Sequence, residues 1–438
     1  MFKTIKDAFK MPDVRKKILI TLFLLLIYRI GCWIPVPGID PTIFGYDGRV
    51  TTGGGAQDFL QLMSDLAGGA LANGAILALG VGPYITSSIV MQLMTIALPS
   101  LERLSRQGDE GRRKIAVYTR YVALFMALAQ AIAIVATLSD AGSIMNDVFG
   151  ATVPPIVASL LVILTLTAGA MFTVWIGDKI TEHGVSNGMS MLIFIGIIST
   201  GATAFFDSFL RVFENIAEIG TPLVFILTLI IIFFLIVYVD LAERRIPVTY
   251  AKQVKGNKMY GGQSSVIPIK INATGVIPII FAFAMLQFPQ LIISIFWPGE
   301  ASSWYAIHLG AGTWINTVLT ALLILGFTYF YATLSFKPDD VSRQIQQNGG
   351  FILGYRPGAP TRDYLARVHN RITLFGAIFL MFVALVPAVI FMAAAPEGGA
   401  LLTAFTGIGL LIIVSVALEF ERQLQGQMLM KSYKGFLK

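Results

Sequence analysis

Ten apolar stretches, each long enough to cross a lipid bilayer, constrain the fold of this chain more than any other feature. A hydrocarbon core about 30 Å thick needs about 20 apolar residues in a helix, and lipid-exposed backbone must satisfy its polar groups within its own segment. With 55% hydrophobic and 13% charged residues among 438, the composition also departs from the roughly 25% charged residues of soluble domains. We predict an all-α membrane protein with ten transmembrane helices, at about 18–35, 75–98, 115–138, 153–176, 186–206, 222–239, 271–296, 314–334, 372–392 and 403–421.

The basic residues predict the orientation of these helices. Of the 32 Lys and Arg residues, 28 fall before the first helix or in segments on the same side of the predicted membrane. Arg49 and Arg211 lie in opposite loops, and Arg29 and Arg120 lie near helix ends, where we expect them to snorkel or to pair within the bundle. Since positive loops stay inside, both termini are predicted to be cytoplasmic. The basic N-terminus resembles a signal peptide, but its apolar run continues to Ile34 without a small-residue cleavage site, so we expect it to remain as the first helix.

Ten helices divide into two sets of five, 1–206 and 207–438, and the second set then enters the membrane inverted. Both sets carry the pattern G-V-x-P-x-I in their second helix, at 80–85 and at 275–280. Breakers at matching places in inverted halves indicate a pathway between the halves. A chance match within apolar sequence explains the pattern equally well.

Three segments differ from ordinary connections. Residues 59–75 are too weakly apolar to span and too hydrophobic for a loop, which favours a short re-entrant helix with a glycine hinge over a small-residue packing surface. The predicted cytoplasmic loops 241–270 and 335–371 are far longer than a connection requires. Their basic residues either fix the orientation alone or form a dock for a large anionic or acidic partner.

The motifs exclude several classes of protein. No phosphate-binding loop is present, and His183, His308 and His369 have no metal-ligand spacing, so we expect no cofactor, no metal and no enzymatic activity. The single cysteine, Cys32, excludes an internal disulfide. A solute transporter needs a coupling carboxylate near the bilayer midplane, and an intramembrane hydrolase needs a catalytic constellation. The interiors of the predicted helices contain neither.

A set of short motifs, in order and spacing from the first helix to the last, closely resembles the SecY family of bacterial protein-conducting channel subunits. The motifs are R-I-G at 29–31, P-V-P-G-I-D at 35–40, the hinge at 68–71, G-R-R-K at 111–114, N-G at 187–188, G-V-I-P at 275–278 and R-P-G at 356–358.

The resemblance implies an hourglass pore between two pseudo-symmetric halves, a plug and a lateral gate that opens to lipid. The pore ring is expected at Val81, Ile85, Met189, Ile193, Ile280 and Ile412. The family commonly has isoleucine at all six places, so Val81 and Met189 are departures, and the pliable Met189 could loosen the seal. The plug, about 59–73, is expected to include Phe59, Leu62, Met63, Leu66, Gly68 and Gly69, and the gate polar residues are expected to be Ser87, Gln92, Gln130 and Asn272.

The resemblance also implies a function and partners. The chain is expected to be the pore subunit of the Sec translocon in the bacterial cytoplasmic membrane, passing unfolded preproteins with their signal sequences and releasing transmembrane segments into membrane lipids. Its implied partners are the small subunits SecE and SecG, the SecA motor ATPase and the ribosome. Docking of SecA or the ribosome is expected at Arg244, Arg245, Lys252 and Arg356.

Overall fold

A computed structural model of the protein describes most of the chain. The described residues are 2–39, 67–71, 73–140, 147–148, 151–152, 154–214, 220–250, 253–255, 258–260, 264–272, 275–296, 308–309, 313–394 and 407–435. Of the residues expected to form sites, Phe59, Leu62, Met63, Leu66 and Lys252 lie outside these ranges.

Helices make up most of the described chain. Up to residue 214 they are α1 Phe2–Lys10, α2 Pro12–Gly31, α3 Gly82–Ala97, α4 Pro99–Ser105, α5 Asp109–Asp140, α6 Pro155–His183 and α7 Gly188–Glu214, with the paired strands β1 Asp147–Val148 and β2 Ala151–Thr152. Beyond it they are α8 Gly220–Leu241, α9 Ile277–Phe296, α10 Trp314–Ser335, α11 Pro338–Gln347, α12 Ala359–Ala394 and α13 Gly407–Gly435. The remaining strands are β3 Glu243–Tyr250, β4 Gln253–Lys255, β5 Lys258–Tyr260, β6 Ser264–Lys270 and β7 Gly350–Phe351.

Each of the ten predicted apolar segments overlaps one long helix, although several bounds differ. The second helix begins at Gly82 rather than near residue 75, because residues 73–80 form turns in which Gly74 and Gly80 have φ values of 58° and 52°. The ninth begins at Ala359 rather than near residue 372, because its first turns pack outside the apolar span, against α11. Its polar start therefore has a helical partner that hydropathy does not reveal.

Four helices in the described part are individually long and apolar enough to cross a membrane, and a fifth crossing is added if the bent pair α3 and α4 counts as one. The pair bends by 104° between Ala97 and Pro99. Leu98 is extended there, with φ −104° and ψ 116°, because the ring of a following proline disfavours the helical conformation.

Glycines allow close packing where the helices meet the turns that precede α3. A Cβ atom at Gly169 in the middle of α6 would lie 2.0 Å from the Ile76 carbonyl oxygen, and one at Gly188 would lie 1.9 Å from the Gly177 carbonyl oxygen. No side chain fits at such distances. The backbone of α6 therefore touches the turn at residue 76 at one place and the start of α7 at another.

The two long loops fold together. β3 is the central strand of an antiparallel sheet of order β6-β3-β7, with Ile246 opposite Ile267 and Thr249 opposite Phe351. We call this sheet together with α11 the loop unit. Its buried apolar residues come from both loops and from α12, and they are Ile246, Val248, Ile269, Ile345, Ile352 and Leu365.

Because of the close approach at Gly169, replacing two glycines inside helices by alanine should change the stability of the protein very differently. Gly169→Ala should destabilise the protein by about 1–3 kcal/mol, because the added methyl group collides with backbone that has little room to move. Gly326→Ala in α10 is the matched control, since nothing lies within 4 Å of the added atom, and it should be neutral or stabilise by up to about 1 kcal/mol. Thermal unfolding in detergent measures both, and equal shifts for the two variants would contradict the packing.

Candidate functional site

One hydrophobic cluster contains all six residues expected to form the pore ring. Val81, Met189, Ile193 and Ile412 are buried within it, and Ile85 and Ile280 pack against it half-buried. They come from α7, α9, α13 and the start of α3, so segments more than 300 residues apart in sequence meet here. All six of these side chains are apolar.

The N-G motif at residues 187–188 positions Met189 in this cluster. The Asn187 side-chain oxygen accepts a hydrogen bond from the Met189 backbone N–H at 3.0 Å, which caps the start of α7. Gly188 donates its N–H to the Thr181 hydroxyl at 2.9 Å. A Cβ atom at Gly177 would lie 2.6 Å from the Met189 sulfur, so this glycine leaves the space that the methionine fills.

The expected hinge at Gly68 and Gly69 lies beside this cluster. Both glycines have positive φ, 72° and 79°, and a Cβ atom at Gly68 would lie 2.9 Å from the Cα atom of Gly196 in α7. Glycine is therefore required at position 68 both for the backbone conformation and for space.

Side chains at the end of α2 hold the hinge backbone. The Arg29 guanidinium donates a hydrogen bond to the Gly68 carbonyl at 2.8 Å, and the buried Tyr28 hydroxyl donates to the Ala67 carbonyl at 3.3 Å. Backbone bonds from Val36 N–H to the Gly74 carbonyl, 2.8 Å, and from Ile76 N–H to the Ile34 carbonyl, 2.9 Å, continue the attachment. Sequence reasoning missed these roles, although an arginine at the end of an apolar helix was the signal that could have indicated one.

The four expected gate residues do not form one network. Gln92 in α3 accepts a hydrogen bond from the Tyr331 hydroxyl in α10, while Ser87 donates to the Tyr84 carbonyl within its own helix at 2.8 Å. Gln130 is buried in α5, and its side-chain oxygen has no hydrogen-bond partner. Tyr331 was not expected here, and it also packs edge-on against Phe281 of α9, with ring centroids 4.8 Å apart.

Asn272 joins a different cluster, at the end of α8. Its amide donates to a carboxylate oxygen of Asp240 at 3.3 Å, and Arg422 of α13 donates to the Asp240 carbonyl at 3.2 Å and lies 3.5 Å from its carboxylate. The Asn272 side-chain oxygen itself has no partner. Asp240 is buried, and its bonds to Arg422 and Asn272 tie the end of α8 to α13 and to the segment before α9.

Three of the four expected docking residues are described, and all three are exposed. Arg244 and Arg245 lie on β3, where Arg245 donates to the Glu243 carboxylate at 2.8 Å. Arg356 lies between β7 and α12, and its backbone carbonyl accepts a hydrogen bond from the Thr361 hydroxyl at 2.8 Å. Because β3 pairs with β7, the loop unit carries these arginines on one folded body.

Comparison with known proteins agrees with this architecture. A family model described as SecY matches residues 75–421. The chain is 38% identical over 455 residues to the protein translocase subunit SecY of Streptomyces lividans, covering 100% of both chains. It is 36% identical over 440 residues to that of Thermotoga maritima, covering 100% of this chain and 98% of the relative.

Solved structures show the same fold. One described as a protein conducting channel aligns with a TM-score of 0.62 at 20% identity over 97% of both chains. Sec61 in a canine ribosome-channel complex aligns with a TM-score of 0.59 at 18% identity, again over 97% of both chains. The apolar helices and the full-length relatives define a multi-pass membrane protein with the fold of the protein-conducting channels. Within that class, the extent of the family match and of the full-length identity shows that the chain belongs to the SecY family.

Removing the hydrogen bond that Arg29 donates to the Gly68 carbonyl should make the hinge backbone more mobile. Arg29→Gln should increase amide hydrogen exchange of residues 67–75 by about tenfold, because a charge-assisted bond to a buried carbonyl contributes about 1.5–3 kcal/mol. Mass spectrometry of the exchanged peptides measures the change. Arg112→Gln, which neutralises an exposed arginine of α5, serves as the control, and unchanged exchange in Arg29→Gln would show that Arg29 does not hold the hinge.

Proposed function

We propose that this chain is the central pore-forming subunit of the Sec translocon, a channel without enzymatic activity. It passes unfolded preproteins across the membrane and releases transmembrane segments sideways into lipid. The observation that carries the proposal is the single apolar cluster that contains residues from both halves of the sequence, Val81 to Ile193 from one and Ile280 and Ile412 from the other.

An apolar constriction suits this function physically. A narrow ring without polar groups loses its water and blocks ions. It makes no specific bonds to a passing chain, so it yields to side chains of many kinds. The hinge at Gly68 adjoins the cluster, which includes Ala67 and Ala70, and this supports a plug, 59–73, that covers the constriction at rest.

Substitution in the ring should open the resting channel to ions. Ile280→Asn and Ile412→Asn should each raise the resting conductance severalfold in planar bilayers, because an amide keeps water in the constriction. Leu322→Asn on the exposed face of α10, where Leu322 is 62% accessible, is the control and should leave conductance unchanged. If both ring variants showed the same resting conductance as the unaltered protein, the proposed constriction would be wrong.

The lateral gate is proposed between α3 and α5 on one side and α9 and α10 on the other. Contacts of α9 with α3 and α5 and the bond between Gln92 and Tyr331 close this seam. A segment with ten Leu-like residues gains about 3–6 kcal/mol on entering lipid, so it can leave by this route while polar cargo cannot.

The membrane arrangement is part of the proposal. Ten crossings in two inverted halves, 1–206 and 207–438, place both termini in the cytoplasm of a bacterium, with the protein in the inner membrane. The charge distribution along the sequence supports this orientation. The proposed partners are SecE, SecG, SecA and the ribosome, and both long loops then face the cytoplasm.

Arg244 and Arg245 of β3, together with Arg356 beyond β7, are the proposed dock for SecA and the ribosome. Arg356→Glu should reduce SecA-driven preprotein import into reconstituted vesicles by about tenfold or more, because a reversed charge repels an acidic partner surface. Arg343→Glu makes the same charge change at an exposed position of α11 and is the control. The protein should stay folded and inserted, and normal import by Arg356→Glu would refute docking at this residue.

A further inference from the structure

His369, in the early turns of α12, is a buried titratable residue that the proposed channel does not use. It is 5% exposed, and it lies before the apolar span that begins near residue 372. Its imidazole stacks on the ring of Phe336, with the ring centroids 4.8 Å apart. Phe336 in turn packs against the buried residues of the loop unit. His369 therefore lies where the loop unit meets the helix bundle.

Three of the four chain segments that join the loop unit to the long helices meet around this histidine. Lys270 and Ile271, where β6 returns to the bundle, line a cavity of about 10 Å³ together with His369. Ala332 and Phe336 belong to the segment that leads from α10 into α11, and His369 itself lies on the helix that follows β7. Contacts at this one residue therefore help to fix the place of the whole unit.

The hydrogen bond of the imidazole indicates its tautomer. Nε2 lies 3.1 Å from the Ala332 carbonyl oxygen, which can only accept, so Nε2 carries a proton and donates. Nδ1 is buried and has no hydrogen-bond partner among the described residues. A second proton, on Nδ1, would have no acceptor there, so the arrangement fits a neutral imidazole.

The surroundings of His369 disfavour its protonated form. The residues that share the cavity with it are Lys270 of β6, Ile271, Thr328 and Ala332 of α10, and Ile372 and Thr373 of α12. In the described part of the chain these include one charged residue, the exposed Lys270, and no carboxylate. The cavity has room for about one water molecule. Burial therefore lowers the pKa of His369 from its ordinary value, although the bond to the Ala332 carbonyl acts in the opposite direction.

We propose that neutral His369 is a positioning residue that fixes the loop unit on the helix bundle, and that protonation of His369 loosens the unit. The proposal rests on the proposed function, since the loop unit carries Arg244 and Arg245 of the proposed dock. Above about pH 6.5 the imidazole is neutral in the attached and in the loosened unit, so its titration favours neither. As the pH falls below that value, the water-exposed imidazole of the loosened unit takes up the proton first, and the attachment weakens.

Amide hydrogen exchange of the purified full-length chain tests this attachment without any partner. Rates for β3 and β6 are measured at about pH 7.5 and about pH 5.5, on either side of the ordinary histidine pKa, and are corrected for the intrinsic pH dependence of exchange. In the unaltered protein the protection of both strands should fall severalfold at the lower pH. Equal protection at the two pH values would overturn the proposal, and this outcome needs no variant.

Two substitutions at position 369 separate the proton from the hydrogen bond. His369→Gln keeps a side-chain donor for the Ala332 carbonyl but does not titrate, so its protection should be equal at both pH values. His369→Phe keeps a stacked ring without a donor and should lose protection severalfold at both. His183→Gln removes an exposed histidine of α6 and is the matched control, which should behave as the unaltered protein does. If His369→Gln kept the pH dependence, or His183→Gln abolished it, the proposal would be wrong.

Binding of purified SecA separates the attachment from the dock. At about pH 5.5 His369→Gln should bind SecA severalfold more tightly than the unaltered protein, and at about pH 7.5 the two should bind equally. Comparison at equal pH cancels the titration of SecA itself. Equal affinities at the lower pH would overturn the positioning role of His369. Failure of the proposed dock is a different result, since Arg356→Glu would then bind SecA normally at both pH values.

Discussion

Backbone that is not helical but lies among membrane helices needs partners for all its polar groups, because neither water nor lipid supplies them. Residues 67–71 and 73–81 are such backbone, and most of them are buried. Tyr28 and Arg29 satisfy the carbonyls of Ala67 and Gly68, and the extended backbone around Pro35 pairs with Ala75. The position of Val81, and with it one edge of the apolar cluster, depends on these bonds.

The apolar cluster and the adjacent hinge are held by different kinds of interaction. The six ring residues meet by apolar contacts, which have no direction and which, in the proposed channel, cost little to exchange for contacts with a passing chain. The hinge is held by directed hydrogen bonds and by the close approach of Gly68 to Gly196. The proposed channel needs both, since the ring sets what can pass and the hinge sets where the proposed plug returns.

The sequence predicts the helices well because hydropathy is a local property, and each long apolar stretch has its helix. It predicts long-range pairs poorly. Asp240 and Arg422 lie 182 residues apart, and no local pattern joins them. The sheet of the loop unit was missed for a related reason: Pro247 and Pro268 interrupt β3 and β6, which hides the strand signal. The six ring positions came from family resemblance, since burial alone makes them ordinary core residues.

The Asp240 cluster links the helix bundle to the sheet of the loop unit. Asp240 lies in the last turn of α8, shortly before β3, and Ile271 N–H, just after β6, donates to the Ala242 carbonyl at 3.1 Å. The first loop therefore leaves and re-enters the helix bundle at one point, which Arg422 of α13 closes electrostatically. Ile412 lies on the same helix as Arg422. The sheet is thus connected to the apolar cluster by two short paths, one through Arg422 and α13 and one through α9, which begins six residues after Ile271.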